Sequence, residues 1–179
     1  MVPLASFIKP FHAHYFSRAE GPPFRKRRYS FAGLPSLMPL VRAFLDTSAA
    51  ERSLDFRFVF TLLGSELANN SIAHSLSSEH GSTFTLIVDR GATGMTLICQ
   101  DQGARYPMEP GPFTAADLDT LDPDAGPGSG RGLGLVNALA DRWGDNGNPK
   151  FRQVWFHLSY DLTHNPWTQS NTAEDKVEC

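Results

Sequence analysis

The chain has 179 residues, of which 41% are hydrophobic, and a formal net charge of −3 at pH 7. This size and composition predict one globular domain with flexible ends. Because proteins that coat nucleic acid are usually strongly basic, the acidic balance argues against direct nucleic-acid binding. No apolar run approaches the roughly 18 residues of a membrane-spanning helix, and Cys99 and Cys179 indicate no disulfide framework. We therefore expect a cytoplasmic protein without membrane contact.

The two ends of the chain show no sustained hydrophobic period. Residues 1–24 mix aromatic side chains with prolines and predict a flexible N-terminal arm. Residues 161–179 are polar and predict a flexible C-terminal tail. The basic run 25–28 leads into an alternating stretch, 28–31, that predicts an edge strand. The folded domain is thus expected at 25–160.

A first helix is predicted after Pro35, with Ser36 as its N-cap and Pro39 in its first turn, where a missing N–H costs least. Apolar residues at helical spacing mark its buried face: Leu37, Leu40, Val41, Phe44 and Leu45. Further along, two β-rich runs, 83–89 and 95–101, are joined by a short glycine-containing loop and predict a hairpin. A last strand is predicted from four alternating positions: Val154, Phe156, Leu158 and Tyr160.

A long helix is predicted to begin near Asp55 and to carry a polar row beside an apolar sector. Since an α-helix turns about 100° per residue, Glu66, Asn70 and His74 stay on one face. The row overlaps the apolar sector, so we expect it to point inward. A buried carboxylate and carboxamide need partners, either a ligand with its metal ion or neighbouring backbone groups. The helix alone does not decide between these two interpretations.

The segment 102–129 is too long for an ordinary connection, is rich in proline and contains one short predicted helix at 114–118. Two glycine-bearing stretches flank it. The first, 98–103, ends a strand, and the second, 130–136, opens a helix. The segment is either a lid over a ligand or an insertion without a ligand role. The order strand, two helices, two strands, lid, helix and strand predicts an α+β fold with helices on one face of a mostly antiparallel sheet.

Three stretches, 66–74, 98–103 and 130–136, follow the order of the N, G1 and G2 boxes of the GHKL ATP-binding superfamily. That superfamily includes gyrase, a heat-shock chaperone ATPase and sensor histidine kinases. The chain resembles it over about residues 29–160, and most resembles its single-domain bacterial anti-sigma factor serine/threonine kinases. The resemblance implies a two-layer α/β sandwich of the Bergerat type, with 102–129 as the ATP lid.

The resemblance also implies ATP and Mg²⁺ as cofactors. Asp101 is expected to accept a hydrogen bond from the adenine amino group, and Gly103 to let the backbone approach the ring. Asn70 offers an amide oxygen, a ligand type suited to Mg²⁺. Phosphates are expected where the last helix begins, because backbone N–H groups and the helix dipole favour anions there. The binding residues at that point are Gly130, Arg131, Gly132, Leu133 and Gly134.

Glu66 lies one turn before Asn70, and the resemblance implies that it is the general base for an attacking hydroxyl. His74 matches the family pattern, but we assign it no catalytic role, because a lone histidine on an inward face is usually a packed core residue. One position departs from the pattern. Arg105 stands where members often carry a second glycine after Gly103, which affects the expected flexibility of the lid more than adenine binding.

The function implied by the resemblance is an ATP-dependent protein serine/threonine kinase that regulates transcription. It phosphorylates an antagonist protein and sequesters a sigma factor. The alternative is a nucleotide-controlled protein-binding module without phosphoryl transfer. The sequence contains no P-loop motif and no ordinary protein-kinase motifs, and no dimerisation helices with a phosphoacceptor histidine precede the boxes. The sequence does not distinguish a monomer from a homodimer.

Overall fold

Five strands form one open sheet in this computed structural model, which describes residues 3–17, 24–105, 111–118 and 131–169, without the Arg131 side chain. In chain order the strands are β1 (Lys26–Ala32), β2 (Thr83–Arg90), β3 (Gly94–Gln100), β4 (Arg142–Asp145) and β5 (Gln153–Ser159). They lie in the order β1-β2-β3-β5-β4, and every neighbouring pair is antiparallel. Within the described ranges, no helix is both long enough and apolar enough to cross a bilayer.

The helices lie over one face of this sheet. They are α1 (Met38–Ser48), α2 (Leu54–His74), α3 (Ala115–Leu118) and α4 (Arg131–Leu139). The central helix, α2, contacts α1, α4 and strands β2, β3 and β5. A Cβ added at Gly64 would lie 2.7 Å from Leu45 Cδ1 and 2.9 Å from Leu97 Cδ2, so a glycine lets α2 approach both α1 and the sheet. The predicted α+β fold is confirmed.

Strand periodicity explains how the core is filled. Side chains alternate between the two faces of a strand, and in β1 every second residue from Arg27 to Phe31 is buried. Antiparallel pairing then brings buried residues opposite one another, such as Leu97 and Phe156, or Val88 and Leu97. The predicted hairpin is confirmed as β2 and β3.

One local prediction is wrong, and one strand was not predicted. Ser36 does not cap a helix, because the chain first forms a 3₁₀ turn at Pro35–Leu37, and α1 begins only at Met38 without a side-chain cap. Strand β4 was not predicted, since its four residues, Arg-Trp-Gly-Asp, show no alternation of apolar side chains. It is an edge strand that pairs with β5 alone. Pro39 does lie in the first turn of α1.

The prediction of a flexible N-terminal arm at 1–24 does not describe residues 3–17, which form two short 3₁₀ helices packed beside β1. The hydroxyl of Tyr29 donates to the backbone oxygen of Phe7 at 2.8 Å. The ring of Phe16 lies 4.9 Å from that of Tyr29 and 6.2 Å from that of Phe44. Aromatic burial therefore ties this segment to the domain, although its sequence lacks a period.

The predicted flexible tail at 161–179 also differs from the structure in its first nine residues, 161–169. Leu162 is buried in the core. The amide of Asn165 donates to the backbone oxygen of Leu139 at 2.8 Å, and Trp167 stacks on Phe58 with ring centroids 4.7 Å apart. These contacts attach the segment to α4 and α2. The remaining tail residues, 170–179, lie outside the described part of the chain.

Candidate functional site

The polar row of α2 lies at the side of the helix rather than wholly in the core. Glu66 and Asn70 are half-buried, and His74 is exposed, so the predicted inward orientation is wrong for His74. The core contacts of this stretch come from neighbouring apolar positions such as Leu63 and Leu67, which are almost completely buried. Glu66 and Asn70 are therefore partly buried by packing but remain partly accessible to a ligand.

Glu66 lies against the beginning of α4. A Cβ added at Gly132 would lie 2.5 Å from Glu66 Oε2 and 3.3 Å from Glu66 Cβ, so a side chain there would displace the Glu66 carboxylate from this position. Of the residues that the structure describes, none places an atom within 4 Å of a Cβ added at Gly134. The first N–H groups of a helix have no intrahelical acceptor, and the helix dipole is positive there. The beginning of α4 is thus suited to an anion.

The remaining predicted residues of this stretch contribute differently. The Leu133 side chain is buried in the core, so only its backbone is available to a ligand. Gly130 and the side chain of Arg131 lie outside the described residues. The predicted lid is described only at 102–105 and 111–118, where the expected short helix is present as α3.

Asp101 lies immediately after β3 and is 8% exposed. Its Oδ1 accepts a hydrogen bond from the Gly103 N–H at 2.8 Å, and its Oδ2 accepts one from the Ser71 hydroxyl at 3.3 Å. Burial raises the pKa of Asp101, whereas these two hydrogen bonds and the charge of Arg152 oppose the rise. A carboxylate has about four acceptor positions, so Asp101 retains capacity for a further donor.

Gly103 is required for a reason that differs from the predicted one. Its φ is +86°, a conformation that favours glycine. A Cβ there would lie 2.2 Å from the backbone oxygen of Pro149, in the loop between β4 and β5. The glycine therefore allows the 101–104 turn to pack against this loop, and the approach of a ring is not needed to explain it.

Residues 31–156 match the histidine kinase-like ATPase domain family. The chain belongs to this family. The matched range contains Glu66 and Asn70 on α2, Asp101 after β3, and α4, which are the elements that build the site. No curated protein matches the chain significantly. The match identifies an ATP-binding domain, and the roles of individual site residues remain proposals.

The residues of this ATPase domain fit ATP in two respects. Asp101 is a buried acceptor with capacity for a further donor at the end of β3. Among the described residues, no atom lies within 4 Å of a Cβ placed on Gly134 in the first turn of α4. Asn70, the predicted Mg²⁺ ligand, lies on α2 one turn from Glu66. Within the part of the chain that the structure describes, no three His, Cys, Asp or Glu side chains converge as metal ligands.

The sequence did not predict that Ser71 contacts Asp101, or that Cys99 contacts Ser71. The Ser71 hydroxyl lies 3.1 Å from Cys99 Sγ as well as 3.3 Å from Asp101 Oδ2. Burial raises the pKa of Cys99 to about 12, so the thiol stays protonated beside the carboxyl group. The signal for Ser71 was its spacing, because it follows the buried Leu67 by four residues and so shares its face.

A second feature of the ATPase domain is a groove of about 370 Å³ between α1 and α2, which we call the α1–α2 groove. Its apolar lining includes Leu54 and Phe58, which are 77% and 52% exposed, and its polar lining includes Arg42 and Glu66. Glu66 therefore borders both α4 and this groove. Sequence reasoning did not predict the groove, since it depends on how two helices pack.

Proposed function

We propose that this ATP-binding domain is a protein serine/threonine kinase of the anti-sigma factor type. In this proposal it transfers the γ-phosphoryl group of ATP to a hydroxyl group of an antagonist protein, and it also sequesters a sigma factor. The sequence resemblance to single-domain anti-sigma factor kinases supports the class of partner. The observation that supports catalysis is the position of Glu66.

Glu66 occupies the boundary between two different environments. On one side its carboxylate packs against Gly132 at the start of α4, which suits phosphate oxygens. On the other side it lines the α1–α2 groove. A hydroxyl group entering along the groove would thus meet a proton acceptor next to the phosphate side. Nucleotide binding alone does not require a carboxylate at this boundary.

In this proposal each part of the site has one role. Asp101 accepts a hydrogen bond from the adenine amino group, Asn70 contributes an amide oxygen to Mg²⁺, and the first turn of α4 receives phosphate oxygens. Bound ATP would supply the phosphoryl group and leave as ADP, and Mg²⁺ held by Asn70 would offset the negative charge of the phosphates. Glu66 takes up the proton of the acceptor hydroxyl, a contribution of typically ~10²–10⁴-fold in rate.

The α1–α2 groove supports a protein as the acceptor. Leu54, Phe58 and Leu62 form an apolar lining that suits an apolar side chain of a partner, while the exposed Arg42 suits an acidic one.

Phosphotransfer from radiolabelled ATP tests the proposal directly. The purified chain is incubated with Mg-ATP and candidate antagonist proteins, and label on serine or threonine is measured. Incorporation that depends on the chain supports the kinase. If no candidate is labelled while one of them binds in a nucleotide-dependent way, the alternative protein-binding module replaces the kinase.

A further inference from the structure

A second carboxylate lies close to the adenine end of the proposed site. Asp145 ends β4, and its side chain is only 2% exposed. Its Oδ2 accepts hydrogen bonds from Arg152 Nε at 2.8 Å and lies 2.6 Å from Arg152 Nη2. Both guanidinium nitrogens thus contact one carboxylate oxygen, and a hydrogen bond between charged groups is stronger than one between neutral groups. No role was assigned to either residue from the sequence.

The ion pair spans the base of the 146–151 loop, which contacts the turn that carries Asp101. The Asp101 N–H donates to the backbone oxygen of Arg152 at 3.0 Å, and the Ala104 N–H donates to that of Pro149 at 2.9 Å. The same loop reaches the described part of the lid, because the Gly111 N–H donates to the Gly147 oxygen at 3.1 Å. The 146–151 loop therefore contacts both the 101–104 turn and Gly111 of the predicted lid.

Hydrogen bonds within the loop hold its shape. Asp145 Oδ1 accepts the Gly147 N–H at 2.8 Å, and Asn146 Oδ1 accepts the Gln153 N–H at 3.0 Å. Asn148 Oδ1 accepts the Lys150 N–H at 2.9 Å. Such side-chain bonds replace regular secondary structure in short turns. The surface on which Gly103 packs is thus preformed.

We propose that Asp145 and Arg152 are positioning residues for nucleotide binding: their ion pair holds the 146–151 loop against the 101–104 turn and sets the charge environment of Asp101. This inference rests on the proposed role of Asp101 as the adenine acceptor. Neither residue has to touch the nucleotide. They act by orienting the Asp101 carboxylate and by changing how strongly its ionised form is favoured.

The charged and titratable groups around Asp101 have opposing effects on its pKa. Burial raises that pKa most, and the Asp145 carboxylate adds to the rise. The hydrogen bond from Gly103, the charge of Arg152 and the hydrogen bond from Ser71 lower it. From β3, the Cys99 thiol also faces Asp101, but its pKa of about 12 keeps it neutral. Removing Arg152 or Asp145 should therefore move the Asp101 pKa in opposite directions.

Two matched substitutions test the inference. Arg152→Gln removes a positive charge and should raise the Asp101 pKa, whereas Asp145→Asn removes a negative charge and should lower it. Carbon-detected NMR of the nucleotide-free protein follows the carboxyl titration, and calorimetry follows ATP affinity over the same pH range. At the lowest pH values of this range, the Arg152→Gln variant should bind ATP about tenfold more weakly than the native chain.

Control variants separate charge from simple loss of structure. Lys26→Gln removes one cation from an exposed pair with Asp89, 3.4 Å apart on β1 and β2, and should leave the Asp101 titration unchanged. Arg152→Lys keeps the charge and should restore much of the native titration, even where Arg152→Gln folds poorly. A structural role alone would give no opposite shifts of the Asp101 pKa.

The outcomes distinguish this inference from the function on which it rests. The inference is supported if the two substitutions shift the Asp101 pKa in opposite directions, and if the pH below which ATP affinity falls shifts in the same way. Shifts in the same direction, or none, overturn the positioning role and leave the adenine site intact. If Asp101→Asn binds ATP as tightly as the native chain, Asp101 is not the adenine acceptor, and the proposed site and this inference both fail.

Discussion

The Glu66 carboxylate and Gly132 are in such close contact that a single methyl group at residue 132 would come within 2.5 Å of Glu66 Oε2. This contact joins α2 to the first turn of α4. The proposed base therefore lies directly beside the proposed phosphate-binding turn. The contact also provides a way to displace Glu66 without changing its chemistry.

Gly132→Ala should therefore push the Glu66 side chain away from α4 and reduce phosphotransfer more than ATP affinity. Gly134→Ala is the matched control for stability, since its Cβ would contact none of the described residues. Alanine in a helix is favoured over glycine by about 1 kcal/mol, so Gly134→Ala should raise the melting temperature. If phosphates bind this turn, the same variant should weaken ATP binding. Equal phosphotransfer rates for Gly132→Ala and the native chain would contradict the first expectation.

Asp101→Asn should weaken ATP binding by roughly 1–3 kcal/mol, the cost of a mispaired buried hydrogen-bonding group. The amide can keep both existing contacts, because its oxygen can accept from the Gly103 N–H and its nitrogen can donate to the Ser71 hydroxyl. An adenine amino group would then meet a donor instead of an acceptor. Isothermal titration calorimetry measures the loss, and an unchanged dissociation constant would exclude Asp101 from the adenine site.

The same substitution should increase stability in the absence of nucleotide at neutral pH. Burial raises the pKa of Asp101 in the folded protein, so the folded state binds this proton more tightly than the unfolded state does. The ionised group therefore lowers stability above its folded-state pKa, and this cost disappears as the pH falls through that pKa. Melting temperatures of both proteins over a pH series should differ most near neutrality and converge in acid.

Much of the site was predictable from the sequence because its residues lie in regular elements. The 3.6-residue period located α2 and placed Glu66 and Asn70 on one face, and the period of two located β3 and the residue that follows it, Asp101. Glycines marked the start of α4. In each case the local pattern and the observed structure agree, since helix and strand spacing depends on neighbouring residues.

The parts that were not predictable depend on pairing between distant segments. Asp145 and Arg152 appear in the sequence as charged residues beside a loop rich in Asn and Gly, and only the pairing of β4 with β5 brings them together. The packing of Trp167 on Phe58 joins residues far apart in the chain. Neither contact has a local period, so sequence reasoning assigned these segments to loop or tail.

Leu54→Asp tests the α1–α2 groove. Leu54 is 77% exposed and is the first residue of α2, where an acidic side chain is favoured by the helix dipole. The substitution should therefore leave stability and ATP affinity unchanged while it raises the KM for the antagonist protein. Leu34→Asp is the matched control, because Leu34 is also an exposed leucine but does not line the groove. Equal KM values for both variants would exclude the groove as the docking site.

Glu66→Gln tests whether the domain is a kinase or only binds nucleotide. The amide keeps the size of the side chain and its fit against Gly132, but it removes the proton acceptor. ATP affinity should therefore persist, while phosphotransfer to a verified antagonist should fall by ~10²–10⁴-fold. Calorimetry and a radiolabel assay measure the two quantities separately.

Two further variants decide how a loss in Glu66→Gln is interpreted. Glu51→Gln removes an exposed carboxylate that pairs with Arg90 at 3.3 Å, and it should leave transfer unchanged. Asn70→Ala should weaken Mg-ATP binding itself, because it removes the proposed amide ligand of the cation. A base and a metal ligand thus have different signatures, since the first affects rate and the second affinity. If Glu66→Gln transfers phosphate as fast as the native chain, Glu66 is not the base, and its position beside the groove has a different explanation.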